Sequence, residues 1–565
     1  MHNRLGLVAM TAATLMVGMG AQAGVAGAAP GGGNPAGHSV GQIGHGASPA
    51  AMTATGRGTA AHPREIDLSG QHTMPQVTTS AQMPAPLGRD GKPVDLPVRP
   101  TSGRKILPHL SAPAGGPNRV HGRAVTPVAP ATSANPAAPV LPRIQPTTVH
   151  ANFDGVNQTN SNCGGCQPPD VNAAVGTSQI AETVNTRLAV YSKTGAALCG
   201  TSLNSFFATS ARLFAPRIQY DNVNRRYTLS VGVTPASSTA TPRYLVAASR
   251  TDNACGRWFV YTVTFSGALF PAGTRVDFPY LGQDRRAVLA SSNNFRGSYL
   301  GSAAWSIPKS ALYSGVGFTF TAFNVAFSTA PVTVAGIPTP ATTNTYFLAS
   351  VPGTGYRLYR MTNSGGPGAS LVLQAVVNST FAAPTRRVNQ PGTATTLDPG
   401  DGRISSDPVQ DGDFVWFTHG VDLVGYPAIR YGAISVVTNT PFVAIVFKSG
   451  TSDDFNPSIG VADAGTNLNR IWLNWAYTDT PAGVPVSDTT NGVGPGEGVP
   501  SKVGGLDLVT GVSTNINTRF GDYSSVEVDP TGTVACPAGR VAVVAQQYFG
   551  PGGVWRTRIA RLGFC

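Results

Sequence analysis

The stretch "RFGDYSSVEVDPTG" at residues 519–532 has counterparts in "APRIQYDNVNRR" (215–226), "DFPYLGQDRRAV" (277–288) and "NPSIGVADAGTN" (456–467). Each begins with a polar residue or proline and passes one small or aromatic residue. A short β-rich run follows, ending at Asp and a turn. One chain that writes the same phrase repeatedly is building the same supersecondary unit repeatedly.

Around these phrases, residues 147–565 are nearly free of helical periodicity. They are filled instead with short alternating runs such as "RYTLSVGV", "WFVYTVTF", "TYFLASV", "FVAIVFK" and "VAVVAQQY". Gly, Asn, Asp and Pro punctuate the runs, as expected for strands joined by tight turns. Strand groups open near Asp170, Arg217, Phe278, Tyr346, Arg403, Asn456 and Asp522, at intervals of 47, 61, 68, 57, 53 and 66 residues. A period of that length holding about four strands describes a propeller blade. The fold expected is therefore an all-β propeller over 147–565, with seven blades, or six if the first or fourth group is incomplete. The phrase would be the innermost strand of each blade, and "VWRTRIARLGFC" would supply a final strand to the closing one.

The rest of the chain reads differently. Residues 1–23 carry His2 and Arg4, then an apolar run, then Ala21-Gln22-Ala23, the pattern of a cleavable secretory signal. No later stretch reaches the roughly 20 apolar residues a membrane-spanning helix needs. Residues 24–146 are rich in Gly, Ala, Pro, Ser and Thr, too poor in apolar surface to offset their ordering entropy, and predict a disordered leader. This assigns the protein to the secreted, extracellular or periplasmic class, as a monomer. Of the net charge of +12, residues 1–150 carry +7 and the remainder +5. The globular part lacks a Lys/Arg run with interleaved aromatics, so nucleic acid is not an expected partner. Six cysteines in an exported chain imply disulfides. Spacing suggests Cys536 with Cys565, Cys199 with Cys255, and Cys163 with Cys166 across "CGGC", although six cysteines allow 15 pairings.

Residues opening each phrase should converge at one mouth of a central channel. That ring comprises Asp170, Arg217, Asp277, Tyr280, Arg403, Arg519, Asp522 and Tyr523, with Asn456 beside them. Guanidiniums there could clamp a carboxylate or phosphate, tyrosines could stack on a sugar, and Asp277, Asp522 or Tyr523 could act in catalysis. The alternative is that the aspartates cap turns and the arginines pair with them. Beyond His150 at its edge, the region holds one histidine, His419, and neither G-x-S-x-G nor H-E-x-x-H. Serine-hydrolase and His-based zinc chemistry therefore lack parts, and His419, after "FVWFT", reads as a packed histidine. "DPGDGRISSD" (398–407), "QDGD" (410–413) and "SDDFN" (452–456) gather hard oxygen donors suited to Ca²⁺, but without EF-hand spacing. No other cofactor is expected.

Several of these segments carry a resemblance. "PPDVNAAVGTSQIAETVNTRLAVYSKTGAAL", "FPYLGQDRRAVLASSNNF", "GDGRISSDPVQDGDFVWFTHG" and "RFGDYSSVEVDP" are similar to secreted bacterial β-propeller proteins of the sialidase-like or uncharacterised exported type. The resemblance implies an arginine triad from Arg217, Arg403 and Arg519, with Tyr523 and Glu527 nearby. The S-x-D-x-G-x-x-W box of sialidases is absent. The function expected is recognition of a glycan or another anionic envelope polymer at the channel mouth. A carbohydrate-active hydrolase or lyase, and a protein-binding scaffold, are the alternatives.

Overall fold

A residue in left-handed conformation sits where the chain enters most innermost strands, and this explains the repeated phrase. Asp170, Ala215, Phe278, Ser328 and Asn456 have φ between 48° and 55°. Ala215, Phe278 and Asn456 are each followed by proline. Opposite these three the strand register slips, as a β-bulge requires. A bulge bends its strand and re-aims the following side chain. Here it turns the residue two positions on toward the channel axis.

The computed structural model describes residues 50–70, 105, 148–161, 167–335, 344–463, 469–494, 500, 502–515 and 517–565. Its strands form successive antiparallel groups. Their innermost strands are Asn172–Val175, Leu213–Asp221, Arg275–Gln283, Ala330–Pro331, Val409–Asp411, Asp453–Asp463 and Ser525–Val528. Neighbouring innermost strands lie against one another, with Thr333–Val334 bridging Arg275–Gln283 to Val409–Asp411, and Ser525–Val528 lies against Asn172–Val175. The chain is an all-β propeller. The apolar cores lie between neighbouring sheets rather than at one centre. One joins Leu188 and Leu203 to Trp258 and Leu229, the next joins Tyr244 and Val263 to Trp305, and a third joins Trp416 and Tyr431 to Trp475. All six tryptophans are buried in such seams.

Two expectations about strand roles are corrected. Tyr346 does not open the fourth group, because it lies in its second strand, Asn344–Val351, which pairs outside the two-residue innermost strand Ala330–Pro331. Trp555–Gly563 is not the outer strand of the last sheet. Thr148–Asn157 pairs with it from the other end of the chain, Phe153 opposite Ile559, and takes the outermost place. The last sheet is thus completed by chain segments about 400 residues apart in sequence, which ties the two together.

The segment 24–146 also differs in part from the disordered leader expected. Ala54–Ala60 forms a strand that pairs simultaneously with Arg257–Ser266 and Phe318–Val325, stitching two neighbouring outer edges together. Arg64–Asp67 continues along Arg257–Ser266, and Ala50–Ala51 pairs with Ser370–Asn378. Small residues make this possible. A Cβ on Gly58 would fall 2.1 Å from the Phe320 ring, and one on Gly56 would fall 2.7 Å from Phe270. Lys105 is buried, its ammonium 2.5 Å from Asp454 and 4.7 Å from the Phe447 ring centre.

Cys199–Cys255 and Cys536–Cys565 are disulfide-bonded. The first ties the outer strand of one sheet to a loop of the next, and the second fastens the C-terminus. Cys163 and Cys166, like the signal at 1–23, lie outside the described residues. Among those residues, no helix is long and apolar enough to cross a membrane.

Candidate ligand site at the channel mouth

Three lead-in segments deliver charge to the end of the channel where the innermost strands begin. The loop before Val409–Asp411 brings Asp398, Asp401 and Arg403. The loop before Ser525–Val528 brings Arg519 and Asp522, and Asp170 stands before Asn172–Val175. Phe278 and Asn456 complete the wall of a recess of 50 Å³ shared by the two loops.

Its charges are organised in pairs. Arg403 grips Asp401 with two donors, Nε to Oδ1 at 2.7 Å and Nη2 to Oδ2 at 2.5 Å, and lies over Phe278 at 4.8 Å. Arg519 donates to Asp522 Oδ2 at 3.1 Å. Asp170 receives the Asp522 backbone N–H at 3.0 Å and Asn185 Nδ2 at 2.7 Å. Asp398 caps the Gly400 N–H. Four carboxyl groups therefore surround two guanidiniums.

The environment divides these carboxyls. Burial pushes Asp401 up, but Arg403 outweighs it and holds the carboxyl below its ordinary range. Burial raises Asp170 and Asp398 despite their nearby cations and hydrogen bonds. Asp522 is pushed up to about 7, chiefly by burial, with Asp170 and Asp398 adding repulsion against the pull of Arg519. Its side chain keeps 19% of its exposure, so solvent and ligand still reach it. A carboxyl held near neutrality in a recess marks a functional candidate.

This shift predicts a pH dependence of stability. An ordinary aspartate titrates near 3.8 and Asp522 near 7. The folded state thus gains from the bound proton in acid, and that gain is lost as pH rises from about 4 to about 7. Asp522→Asn cannot suffer the loss. Chemical denaturation should find the variant close to wild type at pH 4. At pH 8 it should be more stable, by up to about 4 kcal/mol at 1.4 kcal/mol per pH unit of separation. Parallel pH profiles would contradict the assignment.

The other expected mouth residues lie elsewhere. Arg217 and Tyr280 are 0% exposed and Tyr523 is 1% exposed. The Arg217 guanidinium lies 3.6 Å from the Tyr523 ring centre and 5.7 Å from that of Tyr280. It donates to Ser405 O at 2.6 Å, and the Tyr280 hydroxyl donates to Ile404 O at 2.8 Å. Together they form a plug across the channel, because two residues beyond the bulge the Arg217 and Tyr280 side chains point at the axis, where Tyr523 packs against them. Arg217 therefore does not join Arg403 and Arg519 in an open triad. Burial holds the Tyr523 hydroxyl far above its ordinary value, so it stays protonated. Asp277 does not line the recess. It pairs with Arg275 at 2.6 Å and caps the Phe278 N–H.

Asn456 is a structural lock, donating to Tyr523 O at 3.0 Å and to Gln546 Oε1 at 3.2 Å. His419 is fully buried; its Nδ1–H donates to Gly420 O at 3.0 Å and its Nε2 accepts the Tyr356 hydroxyl at 2.9 Å. Burial pulls its pKa down to about 3, leaving a neutral, packed imidazole. No group of three His, Cys, Asp or Glu among the described residues is arranged to hold a metal. Asp398 and Asp401, grouped from sequence as Ca²⁺ donors, are the mouth residues whose role sequence reasoning missed.

No protein-family model matches the chain, and no curated protein matches it significantly. Among solved structures it is similar to a Synechocystis apocarotenoid oxygenase mutant, at 10% identity and TM-score 0.31, over 60% of this chain and 74% of that one. It is also similar to a subtype N10 neuraminidase-like protein of a bat influenza A virus, at 8% and 0.33, over 57% and 94%. A third is an exo-β-1,3-galactanase from Phanerochaete chrysosporium, at 10% and 0.28, over 73% and 96%. At TM-scores this low, none of these likenesses bears on function.

Proposed function

We propose that the protein is an exported, seven-bladed propeller that binds a glycan at the channel mouth, through Asp398, Asp401, Arg403, Arg519 and Asp522. The observation that carries this is the convergence of charged pairs from two separate loops on one recess, with Asp170 of a third segment bonded to the Asp522 backbone. Paired carboxylates and guanidiniums present fixed acceptors and donors in alternation, which suits the hydroxyl groups of a sugar. Four carboxyls against two guanidiniums favour a neutral, hydroxyl-rich chain over a polyanion. The recess admits the end or edge of a saccharide, with the remaining sugars on the surrounding loops.

A second function is favoured by one feature, the proton held on Asp522 to about pH 7. A carboxyl so placed can act as a general acid toward a glycosidic oxygen, with an ionised neighbour as its counterpart. The two functions separate in one experiment. The full chain is incubated with neutral and acidic polysaccharides, and binding and released reducing or unsaturated ends are recorded in the same wells. The proposal expects saturable binding, strongest for neutral glycans and at least tenfold weaker in Arg519→Ala, without product. Product that disappears in Asp522→Asn would make the site catalytic. Neither binding nor product would refute both and leave a protein-binding scaffold.

A further inference from the structure

Below the Arg217 plug the channel opens again toward the C-terminal ends of the innermost strands, into a cavity of 220 Å³. Its walls are largely aliphatic, including Val175, Ile218, Val334 and Val461. Most charges at its edge are already matched. Lys309 is held by Asp221 at 2.6 Å, Asp529 is paired with Lys193 and Arg561, and Arg285 is exposed at the rim.

Two lining carboxyl groups are not matched in this way, beside a third, Asp284, that caps the Arg286 and Ala287 N–H groups. Asp407 receives Gln219 Nε2 at 3.1 Å on Oδ2, but its Oδ1 accepts no hydrogen bond, and its nearest cation, Arg217, is 3.9 Å away inside the plug. Glu527 is fixed by the backbone N–H groups of Val175 and Tyr220, at 2.5 and 3.0 Å, and no cation pairs with it among the described residues. Next to Asp407 in sequence, Ser406 also lines the cavity. It is 2% exposed, and its hydroxyl has no hydrogen-bond partner. Buried polar atoms without partners are rare in folded proteins, and each asks for a ligand or water.

From this geometry we infer that the lower channel is a second binding site, distinct from the mouth, which takes a small organic ammonium ion. Its apolar body would lie along the aliphatic wall, and its N–H groups would reach Asp407 and Glu527. An anion would meet two carboxyls, while of the buried cations Lys309 is already held by Asp221 and Arg217 does not line the cavity. A wholly apolar ligand would leave the Asp407 and Ser406 acceptors desolvated and unmatched. Burial, reinforced by the charge of Asp407 and Asp529, holds Glu527 up to about 8. A bound cation is what would relieve that crowding.

The test uses the full chain, with benzylammonium and its uncharged analogue benzyl alcohol as probes in titration calorimetry at pH 7.5. Saturable benzylammonium binding is expected, with the alcohol at least tenfold weaker. Asp407→Asn should weaken the cation at least tenfold and leave the alcohol unchanged. Val334→Trp, at a half-buried wall position and used only if the variant still melts cooperatively, should abolish both. No binding of the cation, equal binding of the two probes, or cation binding indifferent to both variants would overturn the inference. None of these outcomes depends on whether the mouth binds a glycan.

Discussion

A chain that begins after Asn157 should fail to give a cooperatively folding protein. Thr148–Asn157 supplies a full outer strand against Trp555–Gly563. It inserts Val156, 0% exposed, into the seam that holds Val171, Trp555 and Ile559. The Val156 N–H is also a hydrogen-bond donor to Glu182, whose carboxyl is buried in the neighbouring sheet. Losing a ten-residue strand removes several backbone hydrogen bonds at about 1 kcal/mol each. It also removes about 25 cal/mol for every Å² of apolar surface the strand covers. Taken together the loss is on the order of 5–10 kcal/mol, comparable with the whole stability of a domain. The exposed edge of Trp555–Gly563 would then invite pairing between molecules. The expected result is aggregation, or a broad non-cooperative melt with dye binding. Val156→Asp, which leaves the backbone intact, should give a weaker form of the same defect. A sharp melt near the wild-type temperature for the truncated chain would show that closure does not depend on this strand.

The plug makes a second large prediction, and its sign depends on the replacement. Arg217 is wholly buried, with its guanidinium against Tyr523, Nη2 bound to Ser405 O, and Nε and Nη1 without hydrogen-bond partners. A buried cation so incompletely matched gains little net stability from its charge, but its bulk fills the axis. Arg217→Ala would remove that filling and leave only Tyr280 and Tyr523 across the axis, at a cost of about 3–5 kcal/mol by analogy with large-to-small core changes. Arg217→Met keeps most of the volume and removes the charge, and should cost less than about 1 kcal/mol or even stabilise. Denaturant melts of the two variants decide the matter. Equal, large losses would mean that the charge itself, through Asp407, holds the plug together.

What could be read in the sequence follows from what is local. The left-handed lead-ins with their following prolines are written at Ala215, Phe278 and Asn456, so the repeat and the propeller were legible there. The fourth unit was misplaced at Tyr346 because its innermost strand is only Ala330–Pro331, too short for an alternating pattern. Strand pairing outside the repeat was not legible at all. Ala54–Ala60 reads as low-complexity chain, and only the two edges it joins, some 200 and 260 residues away, give it an ordered place. The same limit governs the site. Arg403, Arg519, Asp522 and Asp170 were found because they open repeated phrases. Arg217, Tyr280 and Tyr523 also sit in the phrases, but bulges send Arg217 and Tyr280 inward and Tyr523 is buried against them, and side-chain direction depends on register. Asp398 and Asp401 precede their phrase by a few residues, and nothing in the spacing distinguishes them from turn aspartates.

The central claim is that the mouth, and not another surface, receives the glycan. The most direct test is hydrogen–deuterium exchange of the full chain with and without a saturating bound oligosaccharide. Slowed exchange confined to residues 398–403 and 519–523, and absent in Arg519→Ala, is the predicted result. Protection along the outer strands, or around 406–409 and 526–529 with the mouth unchanged, would contradict it.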